Sequence, residues 1–504
     1  MPLAGVRQVR AFLFPRSDAA TKMNFESAMR PTVLVFAMLL AAFAVEAQTL
    51  QTLCFFNNTN GAWPEAALTP GADGNFYGTT WWGGSSYNGT VFKVTTNGTL
   101  TSLASFNGFS GAHPEDGANP QAALTLGNDG NFYGTTSGGG NGDFGTVFKM
   151  TTNGTLTTLV VFNGTNSTLL YYDGTNGAYP RAALTLGTYG NLYGTTYGGI
   201  TNSTYLYAYG MGTVFKVTTN GTLSGTTLVV FNGTNGAFPD AALTLGNDGN
   251  FYGTTQQGGS SGGGTVFKVT TNGTLTTLVN FNGTNGASPQ AALTLGTDGN
   301  FYGTTYYGGG NSGGTVFKVT TNGTLTTLVS FSFNGNSGAN PNGLTLGKDG
   351  NLYGTTVNGG SSGGNGGGGT LFKMTTNGTL TTLVNFRGTD GWYPYAALTL
   401  GADGNLYGTT YDGSSGGGSS GYGTVFRLLL PPPSLTLQLS AGCPLLNLTG
   451  MLSNNFVVQY STNLSNTNWI NLLSVTNLSS SPCEFLDSAG SGQPARFYRA
   501  VQLH

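Results

Sequence analysis

Between residues 50 and 428 the chain is built from short apolar or β-branched runs of four to eight residues, each bounded by Gly, Asn, Asp or Thr. No stretch there repeats at the 3.6-residue period of an amphipathic helix, so the runs read as strands. The unit from Thr274 to Thr321 shows the order: "TLTTLVNF", a loop "NGTNGASP", "QAALTLG", "TDGN", "FYGTT", a Gly-rich loop, then "GTVFKVTT" and "NG". Each unit therefore predicts four strands. Asp-Gly and Asn-Gly, which accept positive φ, join two of the three strand pairs as tight hairpins, making those neighbours antiparallel.

The octapeptide "DGNFYGTT" or a near copy begins at Asp73, Asp129, Tyr189, Asp248, Asp298, Asp349 and Asp403, giving seven units. A fixed period of this kind decides the architecture before any single residue does. The "TLxxL" strand also occurs seven times, first at Leu50 to Phe56, yet none follows the last "GTVFRL" at Gly423 to Leu428. The first strand has no unit of its own and the last unit lacks its fourth strand. Pairing the two repairs both ends, and the expected fold class is an all-β, seven-bladed β-propeller closed by an N-terminal strand over residues 48–430.

The unit "PxAALTLGxDGNxYGTTxxGG…GTVFKVTTNGTLTTL" resembles the GloVer tandem repeat of exported bacterial proteins, found in Gloeobacter and Verrucomicrobia. All seven copies keep "YGTT" and six keep "DGN". The resemblance implies an exported protein and brings no catalytic residues with it. Some members end in an anchoring signal, whereas no hydrophobic tail with a basic end follows here. Pro431-Pro432-Pro433 reads as a stiff linker. Residues 434–504, with "VQYSTNLSNTNWINL" and "RFYRAV", resemble a fibronectin type III-like module, expected to be a small β-sandwich.

Upstream of the repeats, Arg30, the apolar run Val33 to Val45 and the small-residue site at Ala47 read as a secretory signal over residues 1–47. The run is too short to span a bilayer comfortably, so no membrane span is expected in the mature chain. The expected location is secreted or cell-surface. Three cysteines in 504 residues leave no disulfide framework even after export, although Cys443 and Cys483 are close enough in sequence to be candidates for pairing.

Composition narrows the function. Charged residues are 7% of the chain and net charge is -2, with no basic run to track a phosphate backbone, so nucleic acid is not an expected partner. The 31 Phe and 24 Tyr supply the apolar surface that separates this Gly-rich chain from a disordered one. Two histidines and no recurring Ser-His-Asp spacing argue against nucleophilic catalysis, and "DGN" offers too few oxygens for a calcium loop. No catalytic residue, metal or cofactor is assigned. Carboxylates at Glu65, Glu115, Asp116, Asp143, Asp240 and Asp412 fall in loops, but the sequence alone brings no two of them together. The recurring cation, Lys93 through Arg427, is expected to pair with a nearby turn Asp or a blade neighbour rather than to form a cationic ring for an anionic polymer.

The hairpin turns fall on one face of such a fold and the Gly-rich loops and "FNGTNGAxP" crossovers on the other. That second face varies in length and carries four of the five tryptophans, and function concentrates on variable loops held by a rigid scaffold. Ring closure would bring Trp63, Trp81 and Trp82 beside Trp392, Tyr393 and Tyr411, which form the expected ligand-binding patch. Flat rings with polar tips suit a polysaccharide or a surface protein. The sequence therefore reads as a non-catalytic binding or cell-surface structural protein, with an extracellular polysaccharide-acting hydrolase or lyase as the alternative.

Overall fold

The structure is a computed structural model that describes residues 8–11, 49–108, 117–162, 177–199, 210–219, 227–333, 335–360, 367–413, 421–430, 434–440, 443–449, 455–461, 470–475, 483–487 and 497–503. The signal residues 12–48, the Pro431–Pro433 linker, and the loop residues His113, Glu115 and Asp116 lie outside them. The chain divides into two units, Leu50–Gly347 with Asn351–Leu429, and Met1–Thr49 with Lys348–Gly350 and Leu430–His504.

Among the described residues the larger unit is almost wholly β, with seven four-stranded antiparallel sheets. Sheet 1 runs Thr69–Pro70, Phe76–Thr80, Thr90–Val94 and Leu100–Ser105. Sheets 2 to 6 repeat that order from Thr125, Thr185, Thr244, Thr294 and Ala339. Sheet 7 takes Thr399–Leu400, Leu406–Thr410 and Thr424–Leu429 from its own unit, and its fourth strand is Thr49–Phe55 from the start of the repeat region.

The repeated residues explain the register. In "FYGTT" every position is buried, because each sheet is covered on both faces by its neighbours. Phe and Tyr therefore point to opposite neighbours. The Tyr77 ring meets Phe132 of sheet 2 at 4.2 Å between centroids, Tyr252 meets Phe301 at 4.1 Å, and Tyr407 of sheet 7 meets Phe76 of sheet 1 at 4.2 Å. Gly78 lies across the strand pair from Phe92, and a Cβ there would sit 2.5 Å from the Phe92 ring. Glycine is required at this point for lack of room. At Gly74 the reason is different: the Asp73-Gly74 turn holds φ at 76°.

Polar groups inside the stack are paired with equal regularity. The Thr69 hydroxyl donates to the Leu124 carbonyl of the next sheet at 2.6 Å, and the same bond recurs at Thr125, Thr185, Thr244, Thr294 and Thr345. The seventh runs from Thr399 of sheet 7 to Leu68 of sheet 1, also at 2.6 Å. Thr80 and Thr90, both fully buried, share a 2.8 Å hydroxyl pair, and the Thr80 hydroxyl oxygen also accepts from the Thr90 amide.

The "DGN" carboxylate is fully engaged. Asp73 accepts from Lys93 at 2.8 Å, from Asn75 and from the Tyr77 hydroxyl at 3.0 Å. Lys149 with Asp129 and Lys268 with Asp248 repeat the ion pair. In sheet 3, where Tyr189 replaces the Asp, Lys216 keeps the approach to the tyrosine ring that the paired lysines also make, 5.9 Å from the Tyr193 centroid against 5.7 Å for Lys93 and Tyr77. Arg427 reaches Gln51 on the strand from the chain start.

The smaller unit holds two sheets of its own. Gln8–Ala11, Phe497–Leu503, Asn455–Ser461 and Ile470–Val475 form one, and Ser434–Ser440, Cys443–Thr449 and Cys483–Leu486 the other. The strand Gln8–Ala11 falls in the stretch read as leader, so its pairing belongs to a chain that retains those residues. Cys443 and Cys483 are separated by the register. Cys483 lies opposite Leu448, five positions along the strand from Cys443. At strand rise that is roughly 16 Å, against an upper limit of about 7 Å between the Cα atoms of a disulfide. Sequence proximity does not survive the strand pairing. Among the described residues no helix is long and apolar enough to cross a membrane.

Two predictions follow from this packing. Phe56, at the end of the strand that completes sheet 7, is buried against Phe92 of sheet 1 at 5.0 Å. Phe56→Ala is expected to cost about 3–5 kcal/mol in denaturant unfolding, as much as Phe281→Ala at the equivalent place in sheet 4; a much smaller loss would mean that the N-terminal strand is dispensable. The second concerns acid. Partial burial alone would raise the carboxyls of Asp73, Asp129 and Asp248, but the hydrogen bonds from Lys, Asn and Tyr outweigh it and hold them well below the usual range. Asp298 and Asp403 are lowered in the same direction by Asn and Tyr partners. A carboxylate depressed in the folded state stabilises above its unfolded value of about 4 and loses that contribution as pH falls. Melting temperature should therefore drop progressively below about pH 4, and replacing these five Asp residues by Asn should flatten the drop.

Candidate functional site

Every repeat unit places an X-Pro-Z triplet ahead of "AAL", shortened to Gly343-Leu344 in the sixth, and the three positions do different things. X is Trp63, Asn119, Tyr179, Phe238, Ser288, Asn340 or Tyr393, and all seven have positive φ, between 55° and 58°. Non-glycine residues rarely occupy that region, least of all large aromatics before proline. The backbone around X shows what holds it there. The Trp63 amide donates to the Tyr422 carbonyl of sheet 7 at 2.9 Å, while the Trp63 carbonyl accepts from the Trp81 amide of its own sheet at 3.1 Å. Tyr179, Phe238, Ser288 and Tyr393 bridge their neighbours in the same way. The proline then packs against the glycine that opens the third strand of the preceding sheet, Pro120 on Gly89 and Pro64 on Gly423 among them. X thus stands at the boundary between two sheets, with its side chain in the loop layer.

At the boundary of sheets 7 and 1 this gathers most of the predicted aromatic residues. Trp63 stacks on Tyr411, with centroids 5.6 Å apart and planes 10° apart. It also touches Trp81 at 5.8 Å and Trp82 at 6.2 Å, and Trp81 touches Trp82 at 6.2 Å. Tyr411 continues to Tyr395 at 5.4 Å. The outcome is a connected line, Trp82–Trp81–Trp63–Tyr411–Tyr395, with Trp82, Tyr395 and the nearby Tyr422 exposed. Trp392 and Tyr393 form a ring pair of their own at 6.0 Å, one sheet boundary away, and the backbones link the two groups because the Tyr411 amide donates to the Tyr393 carbonyl. The six predicted residues therefore split into a group of four and a pair. Of the other loop tyrosines, Tyr205, Tyr207 and Tyr209 lie outside the described residues.

Position Z was not assigned a role from sequence as a set. It is Glu65, Gln121, Arg181, Asp240, Gln290, Asn342 or Tyr395. Six of these, all but Gln121, line a single cavity of about 250 Å³. Its wall is the second small residue of each "AAL", from Ala67 to Ala397 with Gly343 in sheet 6, so all seven sheets face this one space. The sequence signal was present: Z changes chemical type in nearly every unit, while Ala-Ala follows it in six of the seven. Tyr395 belongs to both features and joins the cavity to the aromatic line.

The electrostatics of the cavity are unusual for so uncharged a protein. Burial and the charge of Asp240 push the Glu65 carboxyl up to about 7, with Arg181 pulling the other way. Burial likewise raises Asp240, again against Arg181. The Arg181 guanidinium lies 4.0 Å from the centre of the Tyr197 ring, and its buried Nε has no hydrogen-bond partner. Two of the loop carboxylates noted in the sequence thus share one cavity. Cys54 has no comparable poise, since burial pushes its thiol up to about 12.

The model of the Gloeobacter/Verrucomicrobia repeat family matches residues 39–204, 163–362 and 331–442, and the chain belongs to that family. No curated protein matches it. Among solved structures, a candidate 6-phosphogluconolactonase from Bacteroides uniformis is similar at 16% identity and a TM-score of 0.43, over 80% of this chain and 96% of that one. The extracellular domain of a candidate hybrid two-component system from B. thetaiotaomicron is similar at 12% identity and 0.46, over 89% of this chain and 58% of that one. Puromycin hydrolase follows at 12% and 0.43, over 81% and 62%.

Glu65 yields a prediction opposite in sign to that for the turn aspartates. Its folded-state value is raised, so its favourable contribution is complete below the unfolded value of about 4.3 and is lost as pH rises towards 7. Glu65→Gln should match the parent near pH 4 and exceed it near pH 8, by on the order of 1–3 kcal/mol in urea unfolding. Equal stability at both pH values would show that Glu65 is not held out of water.

Proposed function

We propose that the protein is an exported, seven-bladed β-propeller with a fibronectin type III-like β-sandwich at its C-terminus, and that it binds a glycan without cleaving it. The propeller reading is supported by the seventh Thr-to-Leu bond, from sheet 7 back to sheet 1, and by a cavity to which every sheet contributes. Export and a secreted or cell-surface location rest on the leader sequence.

One observation carries the binding function: the continuous line of rings from Trp82 to Tyr395, part exposed, on the face where loops vary. Aromatic faces stack on the apolar faces of sugar rings while polar tips beside them take hydroxyls. A line of contacts suits a chain of sugar units better than a single small molecule. A surface protein, the other partner expected, would use the same patch and would be revealed by binding that no glycan competes for. The alternative, a hydrolase or lyase, draws on Glu65 and Asp240, two carboxyls in one cavity whose charges act on each other.

A glycan array followed by affinity measurement tests this reading. Trp81→Ala and Trp82→Ala are each expected to weaken binding by roughly tenfold, about 1.4 kcal/mol, whereas Trp392→Ala, outside the line, should have a smaller effect. Binding to no glycan, or binding indifferent to Trp81 and Trp82, would sink it. Release of new chain ends from the bound polysaccharide, abolished by Glu65→Gln, would establish the enzyme instead.

A further inference from the structure

We propose that the cavity lined by the Z residues is a binding site for a primary ammonium group on a small organic molecule. The inference is independent of the aromatic-face reading and concerns a different set of side chains.

The first ground is charge. The chain has 17 Lys and Arg and 19 Asp and Glu in 504 residues, yet Glu65, Asp240 and Arg181 converge on one space of about 250 Å³. Two carboxylates against one guanidinium leave the cavity one positive charge short. Arg181 acts on both carboxyls without forming an ion pair with either, its guanidinium lying over the Tyr197 ring, with Tyr197 in turn stacked on Phe238 at 5.0 Å and donating to Gln256. Among the described residues neither Glu65 nor Asp240 has a cation within the 4.0 Å of an ion pair, and neither carboxylate accepts a hydrogen bond. A carboxylate partly withdrawn from water without a partner is costly, and a proton held on Glu65 relieves that cost.

The second ground is fit. An ammonium group brings one positive charge and three N–H donors, matching the missing charge and the unpaired oxygens together. Tyr395, exposed on one side and lining the cavity on the other, supplies a ring face for the same cation. The volume holds roughly eight waters at about 30 Å³ each, enough for a small amine with a short apolar stem along the alanine wall. Other ligand classes fit less well. An anion would meet two carboxylates. A neutral polyol would leave the charge uncorrected. A divalent ion needs six or more oxygens, and no group of three or more His, Cys, Asp or Glu suited to a metal occurs among the described residues.

Ligand and proton then compete for the same charge. The titratable or charged groups around Glu65 are Asp240, Arg181 and Tyr395 in the cavity, with Tyr411 beside them and Asp412 acting on both tyrosines. Glu65 is held up to about 7, so binding should strengthen as pH rises through that value and release a proton.

Isothermal titration of the full chain with propylammonium chloride, against 1-propanol as neutral isostere and sodium chloride as inorganic cation, tests the proposal. At about pH 8 the amine should bind saturably and at least tenfold more tightly than the alcohol, and several-fold more weakly at about pH 6. Glu65→Gln and Asp240→Asn should each weaken it by roughly tenfold, and Tyr189→Ala, at an exposed turn outside the cavity, should leave it unchanged. Circular dichroism of each variant separates loss of binding from loss of fold. Equal affinity for amine and alcohol, no binding of the amine, or indifference to both carboxylate changes in folded protein would overturn the proposal.

Discussion

The hydroxyl of one threonine per repeat, donated to a leucine carbonyl of the next sheet, is the constraint on which the rest of this structure depends. The strands that carry it are only two residues long in six of the seven sheets, too short to hold their place by their own ladder. Their carbonyls face a neighbouring sheet rather than water, and a buried carbonyl without a donor is costly. A threonine satisfies it and ties adjacent sheets at a fixed spacing. That spacing in turn sets how far Phe and Tyr rings may reach, and hence why glycine must stand opposite the phenylalanine at Gly78, Gly134 and Gly253.

The loop layer follows from the same rigidity. A left-handed tryptophan before a proline would not persist in a free loop. It persists at Trp63 because its amide is bound to one sheet and its carbonyl to the next, and because the following proline packs on a glycine of the preceding sheet. With the backbone held by main-chain bonds, the side chain varies in type, Trp, Asn, Tyr, Phe, Ser, Asn and Tyr around the seven sheets, and the two asparagines add bonds of their own to the Trp81 and Tyr306 carbonyls. The next position but one varies as well, which is how charge reaches the cavity of a protein otherwise nearly devoid of it.

Much of this was legible in the repeat. The hairpin dipeptides, the four-strand unit, the displaced first strand and the Lys-to-Asp pairing are local or follow from counting, and the structure places Thr49–Phe55 beside Thr424–Leu429. The aromatic meeting of Trp63, Trp81, Trp82 and Tyr411 was legible once the first and last units were set side by side. The separate pairing of Trp392 with Tyr393 was not, because it depends on which sheet boundary a ring occupies. Nor was the cavity: Glu65, Arg181 and Asp240 lie more than fifty residues apart in sequence, and the Pro-Z-Ala-Ala-Leu motif they share does not show that position Z faces a common space. Cys443 and Cys483 make the converse point, since a single strand register separates them.

The sequence by itself determined the strand composition, the number of units and the hairpins, because these are decided by contacts within one repeat. Only the tertiary structure decided which loop residues touch across sheet boundaries, that position Z faces a common space, and that two carboxyls there lack a balancing cation. Those outcomes come from superposing seven near-identical units around one space, where residues remote along the chain become neighbours and the identity of each matters only in the company of the others.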